Sequence, residues 1–125
     1  MHAEKMPMVA VVENDPALLK AIGRLLYAGG YQPALFSSAE DYLDRRDESA
    51  GECLILDINL GEMSGLDLQK KLCADGVPLP IIFITGQSDV SSIGRAVDCG
   101  CIAYLHKPFD PSSLLSIIRT VVQRY

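Results

Sequence analysis

Short apolar runs rich in β-branched residues alternate along this chain with longer amphipathic stretches, and no other feature constrains its fold as strongly. This alternation is typical of a parallel sheet with helices on both faces. Five strand-helix units fit within the 125 residues, which predicts a single doubly wound α/β domain with five strands and five helices. The predicted strands span residues 8–12, 32–36, 52–58, 81–85 and 102–105.

Polar caps, glycines and prolines bound the predicted elements. The second strand contains Pro33, which cannot donate a ladder hydrogen bond, so we expect that strand at an edge of the sheet. The third and fourth strands are almost entirely apolar and should be central. A fourth helix should end at Gly100. The predicted helix caps are Asn14 or Asp15, Ser37 or Ser38, Ser64, and Asp110.

Composition excludes several classes of protein. The net charge is −5 and the basic residues are scattered, which argues against direct nucleic-acid binding because phosphate contacts need clustered Lys and Arg. No apolar run approaches the roughly 20 residues that span a bilayer, and the first residues lack a signal peptide's apolar core. We therefore expect one cytoplasmic domain over residues 1–125, frayed at 1–7, that binds no membrane.

The four cysteines are predicted to be reduced and mostly buried. They lie inside or beside apolar segments, with no C-x-x-C pair and no histidine cluster near them, so neither a zinc site nor a disulfide is indicated. The residues are Cys53, Cys73, Cys99 and Cys101.

Polar residues follow three of the apolar runs directly. Glu13 and Asn14 follow the first, Asp57 closes the third, and Lys107 stands just beyond the fifth. The carboxyl ends of parallel strands meet at one edge of a sheet, where open α/β sheets bind ligands. Carboxylate and amide oxygens suit magnesium and not zinc, and a lysine offsets the repulsion between a carboxylate and a phosphoryl donor. The pattern predicts a site for a cation or a phosphoryl group.

Three further residues are predicted near this edge, and each of them can be explained by a structural role alone. Thr85 ends the fourth strand, where its hydroxyl could donate to a phosphoryl oxygen, but threonine is also a common strand former. Tyr104 in the fifth strand is by itself a core or half-buried aromatic. His106 is interpreted as a partly exposed residue at a strand end, without a role in chemistry.

Four separated motifs carry a resemblance to a known family. They stand in order as Val12-Glu13-Asn14-Asp15-Pro16, Leu56-Asp57 with the loop to Gly65, Ile84-Thr85-Gly86, and Tyr104-Leu105-His106-Lys107-Pro108-Phe109. With them the chain resembles, from about Met8 to Arg124, the receiver domain of bacterial two-component response regulators. The resemblance implies a flavodoxin-like sheet with strand order 2-1-3-4-5. Within this family, the chain more narrowly resembles receivers of the FixJ type. That closer resemblance rests on the last two motifs and on the segment Phe36-Ser37-Ser38-Ala39-Glu40.

The resemblance implies that Asp57 accepts a phosphoryl group from a phosphohistidine on a histidine kinase or a phosphotransfer protein. Magnesium would be held by Glu13, Asn14, Asp57 and the backbone carbonyl of Asn59, and Lys107 would contact the acyl phosphate. Such a domain is not an enzyme in the usual sense, although it assists its own phosphorylation and dephosphorylation.

The resemblance also implies a switch. Thr85 would move toward the phosphoryl oxygen and Tyr104 would rotate inward, remodelling the surface of the fourth helix, fifth strand and fifth helix. An output domain or protein, or a second copy of the chain, would bind there. FixJ-type receivers precede a helix-turn-helix domain, so we expect a stand-alone receiver or a fragment of a longer regulator. The Lys107–Pro108 bond would be cis, which costs little before proline.

Two departures from the family pattern leave alternatives open. Asn14 replaces the family's second acid, and this should weaken magnesium binding; Gly61 replaces the usual proline, which loosens the loop after Asp57. A second hypothesis is therefore an interaction module that works without phosphorylation. A third is a hydrolytic or flavodoxin-like enzyme on the same fold. Hydrolysis is disfavoured because Asn59 cannot protonate a leaving group, and flavin binding is disfavoured because Glu13-Asn14-Asp15 stands where a phosphate-binding Ser/Thr loop would follow the first strand.

Overall fold

The computed structural model describes residues 6–45, 51–76, 79–86 and 101–122. These ranges contain five strands and four helices, and the predicted fourth helix, ending at Gly100, lies outside them. The last described helix is the predicted fifth one. In chain order the elements are β1 (Met8–Val12), α1 (Pro16–Ala28), β2 (Gln32–Phe36), α2 (Ala39–Arg45), β3 (Cys53–Asp57), α3 (Gly65–Ala74), β4 (Ile81–Thr85), β5 (Cys101–His106) and α4 (Pro111–Val121).

The five strands form one parallel sheet in the order β2-β1-β3-β4-β5. This confirms the predicted topology and the edge position of β2, where Pro33 lies opposite Val9. The strand order reverses between β1 and β3, which pair with Val12 opposite Leu56. The residues that follow this pair are Glu13 and Asp57. The crevice in which open α/β sheets bind ligands thus opens between two carboxylates.

Side-chain caps fix where the helices begin. Asp15 Oδ1 accepts the Ala17 amide at 3.0 Å, and Ser38 Oγ accepts the Asp41 amide at 2.9 Å. Ser64 and Asp67 form a reciprocal capping box at the start of α3. Each cap satisfies an amide that the first helical turn leaves without a partner. The helices thereby begin immediately after the loops that carry the site.

The core has two layers because successive residues of a strand face opposite sides of the sheet. In β3, Leu54 and Leu56 pack with α2 and α3, while Cys53 and Ile55 pack with α1 and α4. All four are fully buried. Helices therefore cover both faces of the sheet, which explains why its central strands are apolar throughout.

The bounds of two predicted strands and the state of one cysteine differ from expectation. The third strand is Cys53–Asp57 and the fifth is Cys101–His106, because ladder hydrogen bonds and not apolar character define a strand's ends. Cys53 is buried and free as predicted. Cys73 is exposed and disulfide-bonded, so the prediction of a buried, reduced thiol is wrong there. Among the described helices, none has the length and apolar character to cross a membrane.

Candidate functional site

Asp57 is the centre of the polar cluster at the carboxyl edge of the sheet. It is the last residue of β3 and only 2% exposed. Lys107 Nζ donates to its Oδ2 at 3.0 Å, and the Asn59 amide donates to its Oδ1 at 3.1 Å. A buried carboxylate is tolerated when it is paired and hydrogen-bonded. Here a lysine and a backbone amide from the following turn meet that requirement.

Glu13 places a second buried carboxylate beside the same lysine. Its side chain is fully buried, with Oε1 3.2 Å from Lys107 Nζ and Oε2 accepting the Asp15 amide at 2.9 Å. The lysine therefore lies between the carboxylates of Glu13 and Asp57. Two negative charges and one positive charge leave the cluster with a net negative charge that can attract a further cation.

The charges in the cluster alter one another's protonation. Burial raises the pKa of Glu13, and the nearby charge of Asp57 raises it further, while the Asp15 amide and Lys107 oppose this. Burial alone would lower the pKa of Lys107, but the hydrogen bond to Asp57 and the two carboxylate charges outweigh burial, so its pKa is raised. Lys107 thus remains an ammonium ion at neutral pH.

The donor atoms fit a hard divalent cation. Glu13 Oε1 is buried and, although near Lys107, has no hydrogen-bond partner of good geometry among the described residues. In the ranges that the structure covers, no group of three or more His, Cys, Asp or Glu side chains is arranged to hold a metal ion. Two carboxylates and an exposed amide form an oxygen-only set, which suits Mg²⁺ better than Zn²⁺.

Thr85 joins the cluster from β4. It is fully buried, and its carbonyl accepts the Lys107 amide at 2.8 Å. Its Oγ1 lies 3.2 Å from Nδ1 of His106, a residue to which sequence reasoning gave no function. Pairing of the strands makes this contact, because Thr85 and His106 are the last residues of their strands and lie opposite each other in the sheet. No local sequence pattern encodes that register.

Tyr104 does not belong to the buried cluster in this structure. It is 44% exposed, which excludes a core position and agrees with a half-buried one. The ring stands edge-on to His106, with centroids 6.2 Å apart. Because the two residues are separated by one position in β5, they lie on the same face of the strand.

Residues 9–119, which contain every side chain described above, match the family model of the response regulator receiver domain. The chain belongs to this family. It is therefore the receiver domain of a two-component response regulator, a signalling domain and not a classical enzyme. Its fold and the order of its motifs agree with the resemblance drawn from the sequence.

Several similar proteins support the assignment of this chain to the receiver family. The response regulator protein TmoT of Ectopseudomonas mendocina is 40% identical over 116 residues, which are 93% of this chain and 53% of TmoT. TodT of Pseudomonas putida is 36% identical over 121 residues, 97% of this chain and 53% of TodT. Full-length FixJ of B. japonicum superposes with a TM-score of 0.87 at 27% identity, over 94% of this chain and 58% of FixJ. The receiver spans about half the length of the curated relatives it matches.

Two glycines between β3 and the first turn of α3 shape the backbone next to Asp57 in this receiver. A Cβ on Gly65 would overlap the carbonyl oxygen of Asp57, and the Gly65 amide donates to the Ile58 carbonyl at 2.7 Å. The start of α3 therefore packs directly on the backbone of the acidic residue. Gly61 has a φ of +94°, a left-handed conformation that proline cannot adopt. The Lys107–Pro108 bond is cis, as the resemblance implied.

Proposed function

We propose that Asp57 accepts a phosphoryl group from a phosphohistidine on a histidine kinase or a phosphotransfer protein. The observation that carries this proposal is the burial of its carboxylate at a strand end with Lys107 Nζ 3.0 Å away. A buried acid paired with an ammonium at the carboxyl edge of a parallel sheet is suited to bind and receive an anionic group. We assign this role to the single receiver domain formed by residues 1–125.

The transfer step requires only a nucleophile and stabilisation of charge. A carboxylate oxygen of Asp57 attacks the phosphorus atom in line with the P–N bond of the phosphohistidine. The P–N bond breaks, its electron pair remains on the imidazole nitrogen, and the new P–O bond makes an aspartyl phosphate. Lys107 then contacts the phosphoryl oxygens, since its ammonium already lies against Asp57 Oδ2, and reduces their charge repulsion with the carboxylates.

Glu13, Asn14, Asp57 and the backbone carbonyl of Asn59 would hold Mg²⁺. The ion supplies positive charge that neutralises the phosphoryl oxygens when it is bound. Glu13 Oε1 is buried, forms an ion pair with Lys107 and accepts no hydrogen bond of good geometry from the described residues. It therefore keeps a lone pair that can coordinate a cation, which supports this assignment. Asn14 contributes an oxygen without a charge, so this site should bind the ion more weakly than one with a third acid.

The new phosphoryl group would act on Thr85 and Tyr104. Asp57 lies opposite Ile84 in the sheet, so Thr85 is the next residue of β4 beside the site of modification. Movement of its hydroxyl toward a phosphoryl oxygen, together with inward rotation of the exposed Tyr104, would change the surface that includes β5 and α4. An output domain or protein, or a second copy of the chain, would recognise that change.

Intact mass spectrometry tests the proposal. The protein is incubated with acetyl phosphate and Mg²⁺, and D57N is treated in parallel. D44N, which alters an exposed aspartate on α2, is the matched control. We expect one phosphoryl group on the wild type and on D44N, and none on D57N or without metal. A folded wild type that gains no phosphoryl group would instead indicate an interaction module that works without phosphorylation.

A further inference from the structure

The hydroxyl of Thr85 already has a partner. It lies 3.2 Å from Nδ1 of His106, within the range of a hydrogen bond. The pairing of β4 with β5 sets this contact, because Thr85 and His106 are opposite residues of neighbouring strands and the next ladder bond joins the Lys107 amide to the Thr85 carbonyl. Backbone pairing thus holds the two side chains next to each other.

We propose that neutral His106, protonated at Nε2, is a positioning residue that holds the Thr85 hydroxyl in the unphosphorylated state. This inference rests on the proposed phosphorylation of Asp57. In this tautomer Nδ1 accepts the hydroxyl's single proton. A phosphoryl oxygen on Asp57 would need the same proton, so Thr85 cannot donate to both acceptors. Phosphorylation must therefore break the bond to His106 before the switch can proceed.

His106 also contacts the other predicted switch residue. Its ring meets that of Tyr104 edge-on at 6.2 Å, so Thr85, His106 and Tyr104 form a continuous series of contacts at the end of β4 and β5. Departure of the Thr85 hydroxyl removes the only polar partner that the described residues give to Nδ1. The imidazole can then reorient, and its edge contact with Tyr104 changes at the same time.

The size of the effect follows from the strength of one neutral hydrogen bond. The net stabilisation from such a bond changes a conformational equilibrium about two- to tenfold. Loss of the bond should therefore raise the active population of the unphosphorylated protein by about that factor. Because the proposed switch couples phosphorylation of Asp57 to the active conformation, the rate of phosphorylation should rise by up to a similar factor.

Two substitutions separate the hydrogen bond from the ring contact. H106F keeps an aromatic ring beside Tyr104 but has no nitrogen, while H106N places a polar atom near the position of Nδ1 and has no ring. The exposed position of His106 makes both variants compatible with the fold. The measurement is the ¹³C-methyl NMR signal of Thr85 in unphosphorylated protein, with wild type bound to beryllium fluoride, a phosphoryl mimic, as the reference for the active state.

We expect the Thr85 methyl signal of H106F to move toward the beryllium fluoride position and that of H106N to remain at the wild-type position. The phosphorylation rate should rise only in H106F. The inference is overturned if the Thr85 signal does not move in H106F or if it shifts equally in both variants. It is also overturned if an ¹⁵N spectrum shows a proton on Nδ1 of His106. Phosphoryl labelling of wild-type Asp57 in the same samples separates the two proposals. A wild type without the label overturns the proposed function. A labelled wild type, together with an unchanged Thr85 methyl signal in H106F, overturns only the role of His106.

Discussion

Lys107 and Asp57 are fifty residues apart in the chain, yet Nζ and Oδ2 lie 3.0 Å from each other. Their strands are not neighbours, since β4 lies between β3 and β5, so the lysine side chain extends across the end of β4. The same ammonium is 3.2 Å from Glu13 Oε1. One flexible cation thus joins the ends of three strands and compensates two buried carboxylates.

Replacement of Lys107 by glutamine should affect both stability and phosphorylation. Glu13 and Asp57 would lose their shared ammonium, and a buried carboxylate without its partner costs about 1–3 kcal/mol. Urea denaturation should show this loss, and labelling by acetyl phosphate should become slower. K70Q removes an exposed lysine on α3 and should leave both measurements unchanged. Equal stability of K107Q and K70Q would show that the lysine does not compensate the buried charges.

Gly65→Ala should displace the backbone that carries Asp57. The new Cβ would overlap the Asp57 carbonyl oxygen and lie 2.9 Å from the Ile58 Cα, and neither atom belongs to a flexible side chain. We expect a destabilisation of about 1–3 kcal/mol with slower labelling, measured by thermal unfolding and mass spectrometry. G51A is the control, because its Cβ would make only contacts of 3.5 Å. A G65A protein as stable and as readily labelled as G51A would contradict this close packing.

Asn14→Asp should tighten Mg²⁺ binding. The substitution adds a negative charge beside Glu13 without changing the length of the side chain. A unit charge at about 4 Å contributes on the order of 1 kcal/mol even in a high dielectric, so the dissociation constant should fall about fivefold or more. Isothermal titration calorimetry measures this change. N14A, which removes the oxygen, should weaken binding, and identical affinities for N14D and N14A would remove residue 14 from the metal site.

Cys53 should be inert to thiol reagents while the protein is folded. Burial raises the pKa of its thiol from 9.0 to about 12, and the thiolate is the reactive form. Because the folded pKa lies above the unfolded one, the contribution of this group to stability is complete below pH 9 and is lost as the pH rises toward 12. Alkylation followed by peptide mass spectrometry should label Cys53 in urea only. Rapid labelling under native conditions would contradict the buried position.

Local sequence signals were sufficient for much of the fold. Three strands have the predicted bounds because breakers flank each apolar run, and Pro33 correctly indicated the edge strand. The contact between Thr85 and His106 was not predictable, since it depends on the register of β4 and β5, which no local pattern encodes. The disulfide at Cys73 was missed for a similar reason, because pairing depends on tertiary distance and not on spacing along the chain.

Chemical localisation of the phosphoryl group identifies the residue that accepts it. Borohydride reduces an aspartyl phosphate to homoserine and leaves free aspartate intact, so tandem mass spectrometry of the treated protein identifies the modified position. We expect homoserine at position 57 after incubation with phosphoryl donor and Mg²⁺, and none in a matched wild-type sample kept without donor. Homoserine at another aspartate, or a phosphoryl gain that leaves position 57 unreduced, would contradict the assignment of Asp57 as the acceptor.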